Sequence, residues 1–264
     1  MFVEGTKTKR ATPHDALATL RRLNADIVVV PEFGRLATLR DEIRLTLESL
    51  GYELTMLEYD EPRSPGLGFA ILSRLKVVSS QVHNLHESRR QLLEVRCENT
   101  EGVLIRVLGI HLDDRTEEGR LNEIASVVDI VDNNLDTPTL LLGDFNAMRR
   151  ESLFAKFARS SSARLVIRRV NHELLRSMAE RVSEMALGTT IEYLETHTKL
   201  HDMDRGRKRT ISSKQEGLEW VPSWRLAKID WIFASKHFTT RSYRVLPDVG
   251  SDHRPVLAIL DVVS

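Results

Sequence analysis

The sequence is poor in the features that announce many function classes. Its single cysteine, Cys97, excludes a disulfide framework and any zinc site built from several thiolates. No apolar run approaches the ~20 residues that a membrane-spanning helix needs. The opening MFVEGTKTKR lacks the apolar core of a secretory signal. The expectation is a cytoplasmic protein without a transmembrane segment. Neither charge sign is in excess, because 38 Lys and Arg balance 38 Asp and Glu. Such a chain has no global pull toward nucleic acid or an anionic membrane, so any such binding needs a local patch. Internal repeats, low-complexity tracts and Pro/Gly-rich linkers are also missing. The simplest organisation is one domain over 1–264, with a mostly helical, basic insertion around 150–215 and no obligatory protein partner evident.

What is present is a regular alternation. TPHDALATLRRL reads as a helix with Thr12 as N-cap, Pro13 at the first helical position and Asp15 completing a capping box. DIVVV (26–30) is a short, continuously apolar strand of the kind buried on both faces. LATLRDEIRLTLESL reads as a second helix closed by Gly51. Strand-like runs follow in GFAILS, LKVVSSQV, LLEVRCE and VLIRVLGIHL. A helix from about Thr116 opens with Glu117 and Glu118, where the helix dipole favours acids. Then come the strand TLLLGD, a mostly helical stretch over about 152–187 with a helical run read through NHELLRSMAERVSEMALGTTIEYLETH, and late strands near 227–234, 239–246 and 255–263. Helix–strand units flanking a run of strands fit two packed sheets covered by helices.

Acids and histidines gather where these strands end. Asp144 and Asn146 close TLLLGDFN, Glu32 follows DIVVVP, and His111 ends VLIRVLGIH. Asp252 and His253 stand just before VLAILDVV, while Asp230 reads as lying inside the apolar strand AKIDWIF. Taken singly, each has a plain explanation. Asp and Asn favour turns, Glu32 could pair with Arg35, and Asp230 with Lys228 or Arg225. Turn chemistry does not explain their recurrence at several strand ends. A rim that carries Glu, Asp, Asn and His suits a hard-oxygen metal site with imidazoles beside it. Magnesium binds through few carboxylates and substrate phosphate, a carboxylate can deprotonate water, and an imidazolium can stabilise developing negative charge.

The motifs VVPEF (29–33), ILSR (71–74), GIHLD (109–113), LLGDFNA (141–147), KIDWIF (228–233) and SDHRP (251–255) together resemble the endonuclease/exonuclease/phosphatase superfamily, the deoxyribonuclease I-like fold. The resemblance implies a four-layered α/β/β/α sandwich of two packed mixed β-sheets flanked by helices. It implies Mg2+ as cofactor, with Mn2+ able to substitute, and a phosphate-ester substrate. By the same resemblance Glu32 is the principal metal ligand and Asp252 contributes to the metal site. Asp144 orients or deprotonates the attacking water, helped by Asn146. His253, with Asp230 as its acidic partner, and His111 contact the phosphate. Family members begin with a strand ending in asparagine. Here no asparagine precedes Thr12, and Pro31 stands where many members carry glutamine.

The loops, not the core, choose the substrate. Arg149 and Arg150 directly follow GDFNAM, RGRKR (205–209) is a basic run, and Trp220 and Trp224 precede the Asp230 strand. Arg149, Arg150 and Trp224 are the candidate substrate contacts. Three functions follow. The first is a metal-dependent phosphodiesterase on nucleic acid. The second is a phosphatase or phosphodiesterase on a small or lipid phosphate. The third is a catalytically impaired binding module.

Overall fold

The computed structural model describes residues 13–33, 40–57, 68–86, 88–132, 136–161, 173–204, 209–211, 227–247, 249 and 251–263. In chain order they form α1 (Pro13–Leu23), β1 (Ile27–Val30), α2 (Arg40–Ser49), β2 (Glu53–Leu57), β3 (Phe69–Ser73), β4 (Lys76–Asn84), β5 (Gln91–Glu98) and β6 (Leu104–His111). These are followed by α3 (Glu117–Asp132), β7 (Thr139–Asp144), α4 (Leu153–Ala158), α5 (Glu173–Met185), α6 (Thr189–His197), β8 (His201–Asp202), β9 (Asp230–Ala234), β10 (Phe238–Val245) and β11 (Val256–Val262). None of these helices is long and apolar enough to cross a membrane.

The side chains of β3 show how the layers stack. Phe69 and Ile71 point into one cluster with Leu93, Val95 and Val107 of β5 and β6. Ala70 and Leu72 point the other way, onto Ile43 and Leu47 of α2. A strand covered on both faces must be apolar at every position, which is why FAILS shows no alternation. The far face of β6 and β7 packs Leu108, Ile110 and Leu141 against Ile124, Val127 and Val131 of α3 and Ile191 and Leu194 of α6. The result is helices, a smaller sheet layer, a six-stranded sheet and helices again: the α/β/β/α sandwich. The large sheet has the order β4-β5-β6-β7-β9-β8, and the small layer comprises β1-β3-β2 and the hairpin β10-β11. Among the described strands only β6 and β7 pair in parallel, linked by α3 as a crossover, so the sheet is mixed.

Two strands were not legible in the sequence. ELTML (β2) is five residues long and half-exposed, and β8 has two residues; both are specified by their neighbours rather than by a pattern of their own. Asp230 also differs from expectation. It is the first residue of β9, not an interior one. The N–H of the preceding Ile229 goes to Thr210 Oγ1 instead of a ladder partner. Thr12, Trp220, Trp224, most of RGRKR and part of the 150–215 insertion lie outside the described residues.

Gly109 sets the distance between the layers. A Cβ there would come 2.4 Å from Cε1 of Phe69, so the ring lies against bare backbone. Gly109→Ala should destabilise the protein by about 1–3 kcal/mol, as overpacking does. Adding Phe69→Leu should recover part of that loss, because the two sites share the contact. Urea unfolding of the two single variants and the double variant checks both statements; strict additivity would contradict them.

Candidate active site

Strand register builds the centre. His111 of β6 lies opposite Asp144 of β7, and Asp144 lies opposite Asp230 of β9. Residues opposite one another on neighbouring strands project to the same face. The three side chains therefore stand in a row at one rim of the six-stranded sheet. His253 comes in from the chain just before β11 and is fixed there by a backbone bridge to Ile211. Its Nδ1 lies 3.0 Å from both carboxylate oxygens of Asp230. Its Nε2 is 3.8 Å from Asp144 Oδ2, and His111 Nε2 is 3.7 Å from that same oxygen. One carboxylate oxygen thus faces two imidazoles. Glu32 joins His111, Asp144, Asp230 and His253 in lining a cavity of about 820 Å3.

The local backbone is bent to allow this. Gly143 has φ of +147°, and a Cβ there would lie 1.9 Å from the Ile110 carbonyl oxygen. Only glycine fits immediately before Asp144. Glu32 (φ 56°) and Asn146 (φ 50°) both occupy the left-handed region. That is uncommon outside glycine and costs energy, above all for Glu32. The Glu32 turn is held by the Phe33 N–H, which donates to the Gly68 carbonyl at the start of β3. The Asn146 turn is held twice. Its N–H donates to Asp144 Oδ1 at 2.9 Å, and its side-chain amide donates to the Leu112 carbonyl at 3.0 Å. Trp231 Nε1 donates to the Ala147 carbonyl one residue on. Thr210 Oγ1 accepts the N–H groups of Ile229 and Asp230, while its carbonyl accepts the N–H of Arg254. Thr210 therefore ties Asp230 and His253 together. Nothing in the sequence around it marks that role.

Burial and charge divide the titratable groups. Burial pushes the Asp144 carboxyl up to about 7, Asp230 and Glu32 add to the rise, and His253 opposes it. Burial alone would strip the proton from His253. Asp230, with Asp144 and Asp252, overrides that and carries the imidazole up to about 10. Burial drives His111 well below its ordinary value, and the charges of Arg90 and His253 act the same way. His111 is neutral, and its buried Nδ1 has no partner among the described residues. Burial also raises Glu32, with Asp252 contributing and His253 and Arg90 opposing.

Asp144, Asp230 and His253 bring ligand-type atoms within 4.8 Å of one another. His253 is nonetheless a poor ligand, since Asp230 holds its Nδ1 and the ring is an imidazolium. The groups suited to a cation are the buried carboxylates. Glu32 is held above its ordinary range by burial, with the charge of Asp252 adding to the rise, and a hard divalent ion would relieve that charge.

The other expected residues are more scattered. Asp252 is half-buried in the turn, where Ser251 Oγ donates to its Oδ1. Arg149 is already engaged: its guanidinium meets Glu195 at 2.9 Å and Asp202 at 3.6 Å. Arg150 is exposed, 3.7 Å from Glu192. Arg90, unmarked in the sequence, donates to the His111 carbonyl at 3.4 Å.

The sequence matches the Endonuclease/Exonuclease/phosphatase family over residues 4–253. The chain belongs to that family. The family's chemistry is phosphoester hydrolysis. Similar solved structures include the mannosyl-6-phosphatase Bt3783 of Bacteroides thetaiotaomicron, with TM-score 0.65 and 18% identity, covering 94% of this chain and 90% of that one. The human Nocturnin catalytic domain has TM-score 0.61 and 20% identity, over 95% of this chain and 86% of its own. ANGEL2, a 2′,3′-cyclic phosphatase, has TM-score 0.63 and 15% identity, over 94% of this chain and 85% of its own. At these identities the likeness shows the fold. No curated protein matches the sequence significantly.

In metal-free protein, His253 should keep its proton to about pH 10. Asp230→Asn removes the main opposing charge and should bring the midpoint down by several units, since burial then acts with less opposition. Nitrogen-15 chemical shifts of the imidazole across a pH series measure both. A wild-type midpoint near 6.5 would contradict the pairing.

Proposed function

We propose that this family member is a metal-dependent phosphodiesterase that cleaves nucleic-acid phosphodiesters by attack of water. The observation that carries the reading is that one Asp144 oxygen faces the Nε2 atoms of both His111 and His253, at 3.7 and 3.8 Å, in a buried setting that raises the carboxyl to about 7. A general base works best when its pKa lies near the working pH. In this reading Asp144 orients the attacking water and takes its proton as the oxygen–phosphorus bond forms. Asn146 shapes the turn that aims Asp144. The His253 imidazolium donates from Nε2 to a non-bridging phosphate oxygen, where negative charge grows. Asp230 holds Nδ1–H and keeps the ring charged. Neutral His111 offers a second hydrogen bond to the phosphate. Glu32, with Asp252 beside it, would hold Mg2+, or Mn2+ in its place. Such an ion supplies neutralisation of the phosphate and of the departing oxygen.

One observation favours a small or lipid phosphate ester instead. Arg149, the basic side chain nearest the motif, is bound to Glu195 and Asp202, so it offers little to a polyanionic backbone. Salt separates the two readings. A substrate gripped through several phosphates loses affinity steeply between 50 and 200 mM salt, by orders of magnitude; a single phosphate ester does not.

The direct test is turnover of bis(p-nitrophenyl) phosphate and of plasmid DNA with Mg2+, Mn2+ or EDTA. Asp144→Asn should lower kcat by about 10²–10⁴-fold, the usual worth of a positioned base, with an unchanged circular dichroism spectrum. EDTA should abolish turnover. Wild-type rates in a folded Asp144→Asn protein would overturn the assignment.

A further inference from the structure

The loop after β6 carries a charge arrangement that the proposed reaction does not use. Arg90, just ahead of β5, donates from Nη2 to Asp114 Oδ1 at 3.2 Å. Arg181 of α5 donates from Nη1 to the other oxygen, Oδ2, at 3.1 Å. One carboxylate is shared by two guanidiniums, and among the described residues neither arginine has a second acidic partner. The two guanidiniums and Asp114 together carry one positive charge, and the Arg90 charge also acts on the buried Glu123. The patch borders the centre directly, since Arg90 also reaches the His111 carbonyl and its charge acts on both Glu32 and His111.

Arg90 has a structural contact in the His111 carbonyl, but the two ion pairs themselves add little to the fold. The side chains of Arg90 and Arg181 are 23% and 48% exposed, and ion pairs of that kind contribute little to stability. The bonds are longer than the ~2.7–2.9 Å of a tight charge-assisted pair. α5 is already seated on this loop by Glu184, whose Oε2 accepts the Glu117 N–H at 2.9 Å. Each guanidinium keeps donors to offer, in the planar fork that matches phosphate.

We propose that Arg90 and Arg181, spaced by Asp114, form a second anion subsite that takes a phosphate of the substrate other than the one being cleaved. The substrate class is then a phosphodiester with a neighbouring phosphate. The inference rests on the phosphodiester reading above, and it can fail separately.

Binding of thymidine 3′,5′-diphosphate is compared with binding of thymidine 5′-monophosphate by titration calorimetry, which needs no turnover. The wild type should bind the diphosphate roughly tenfold more tightly. The ratio should fall toward one in Arg181→Ala and survive in Arg181→Lys and Asp114→Asn, with thermal melts confirming that each is folded. A ratio of one in the wild type, or an undiminished ratio in Arg181→Ala, would overturn the subsite. Turnover of TpT, pTpT and TpTpT then distinguishes the source of the second phosphate. Faster cleavage of pTpT alone assigns a terminal phosphate, and faster cleavage of TpTpT as well assigns a chain phosphate. Equal rates for all of them would contradict a substrate role for the patch. Failure to cleave any of them would sink the phosphodiester reading and leave the calorimetric result standing.

Discussion

The centre depends on the register of three adjacent strands. His111, Asp144 and Asp230 are opposite one another across β6, β7 and β9. A slip of one residue in either pairing would send one of them to the other face of the sheet. The register is held by what lies deeper in the strands. Leu141 pairs with Leu108 and Phe233, and the latter two bury their side chains in the cluster under α3. Hydrophobic burial far from the rim thus decides where the polar groups stand. Gly143 adds the last condition, since any side chain at that position would collide with the neighbouring strand.

Once the groups share a dry rim, their environment assigns them different protonation states. Two histidines stand near the same Asp144 oxygen, yet one is charged and the other neutral. His253 has a carboxylate at its Nδ1, whereas His111 has an orphaned Nδ1 and an arginine nearby. Coulombic pairing outweighs desolvation in the first case; in the second, burial acts together with the positive charges of Arg90 and His253. Asp144 lies between them, raised by burial and restrained by the imidazolium. The proposed reaction needs a proton acceptor and a positive donor within one short span, and Asp144 and His253 stand 3.8 Å apart.

Strain concentrates at the same place. Glu32 and Asn146 both carry positive φ. Each is clamped by hydrogen bonds from its own turn to a neighbouring strand end, so the stable sandwich bears the cost of aiming them. Arg149 shows the reverse relation. It follows the motif in sequence, yet Glu195 and Asp202 claim its guanidinium. Arg90 is distant in sequence, yet it touches the backbone of His111. Sequence proximity to a motif is a weak guide to contact, because loops fold back while strands from distant segments converge.

The sequence by itself determined the elements and the chemical types at their ends. Apolar runs such as FAILS and TLLLG can only be buried strands, and Glu32, His111, Asp144 and His253 at or next to strand ends are readable from local pattern. Why glycine must precede Asp144 is not in the local pattern, because the obstacle is the Ile110 carbonyl of β6. Only the tertiary structure decided that Asp230 opens its strand, that Thr210 ties Asp230 to the His253 segment, and that Arg90 and Arg181 share Asp114. It also decided which histidine keeps its proton. Periodicity records whether a residue faces the core or solvent. Register, burial depth and charge partners arise between segments far apart in the chain, and no local window of residues contains them.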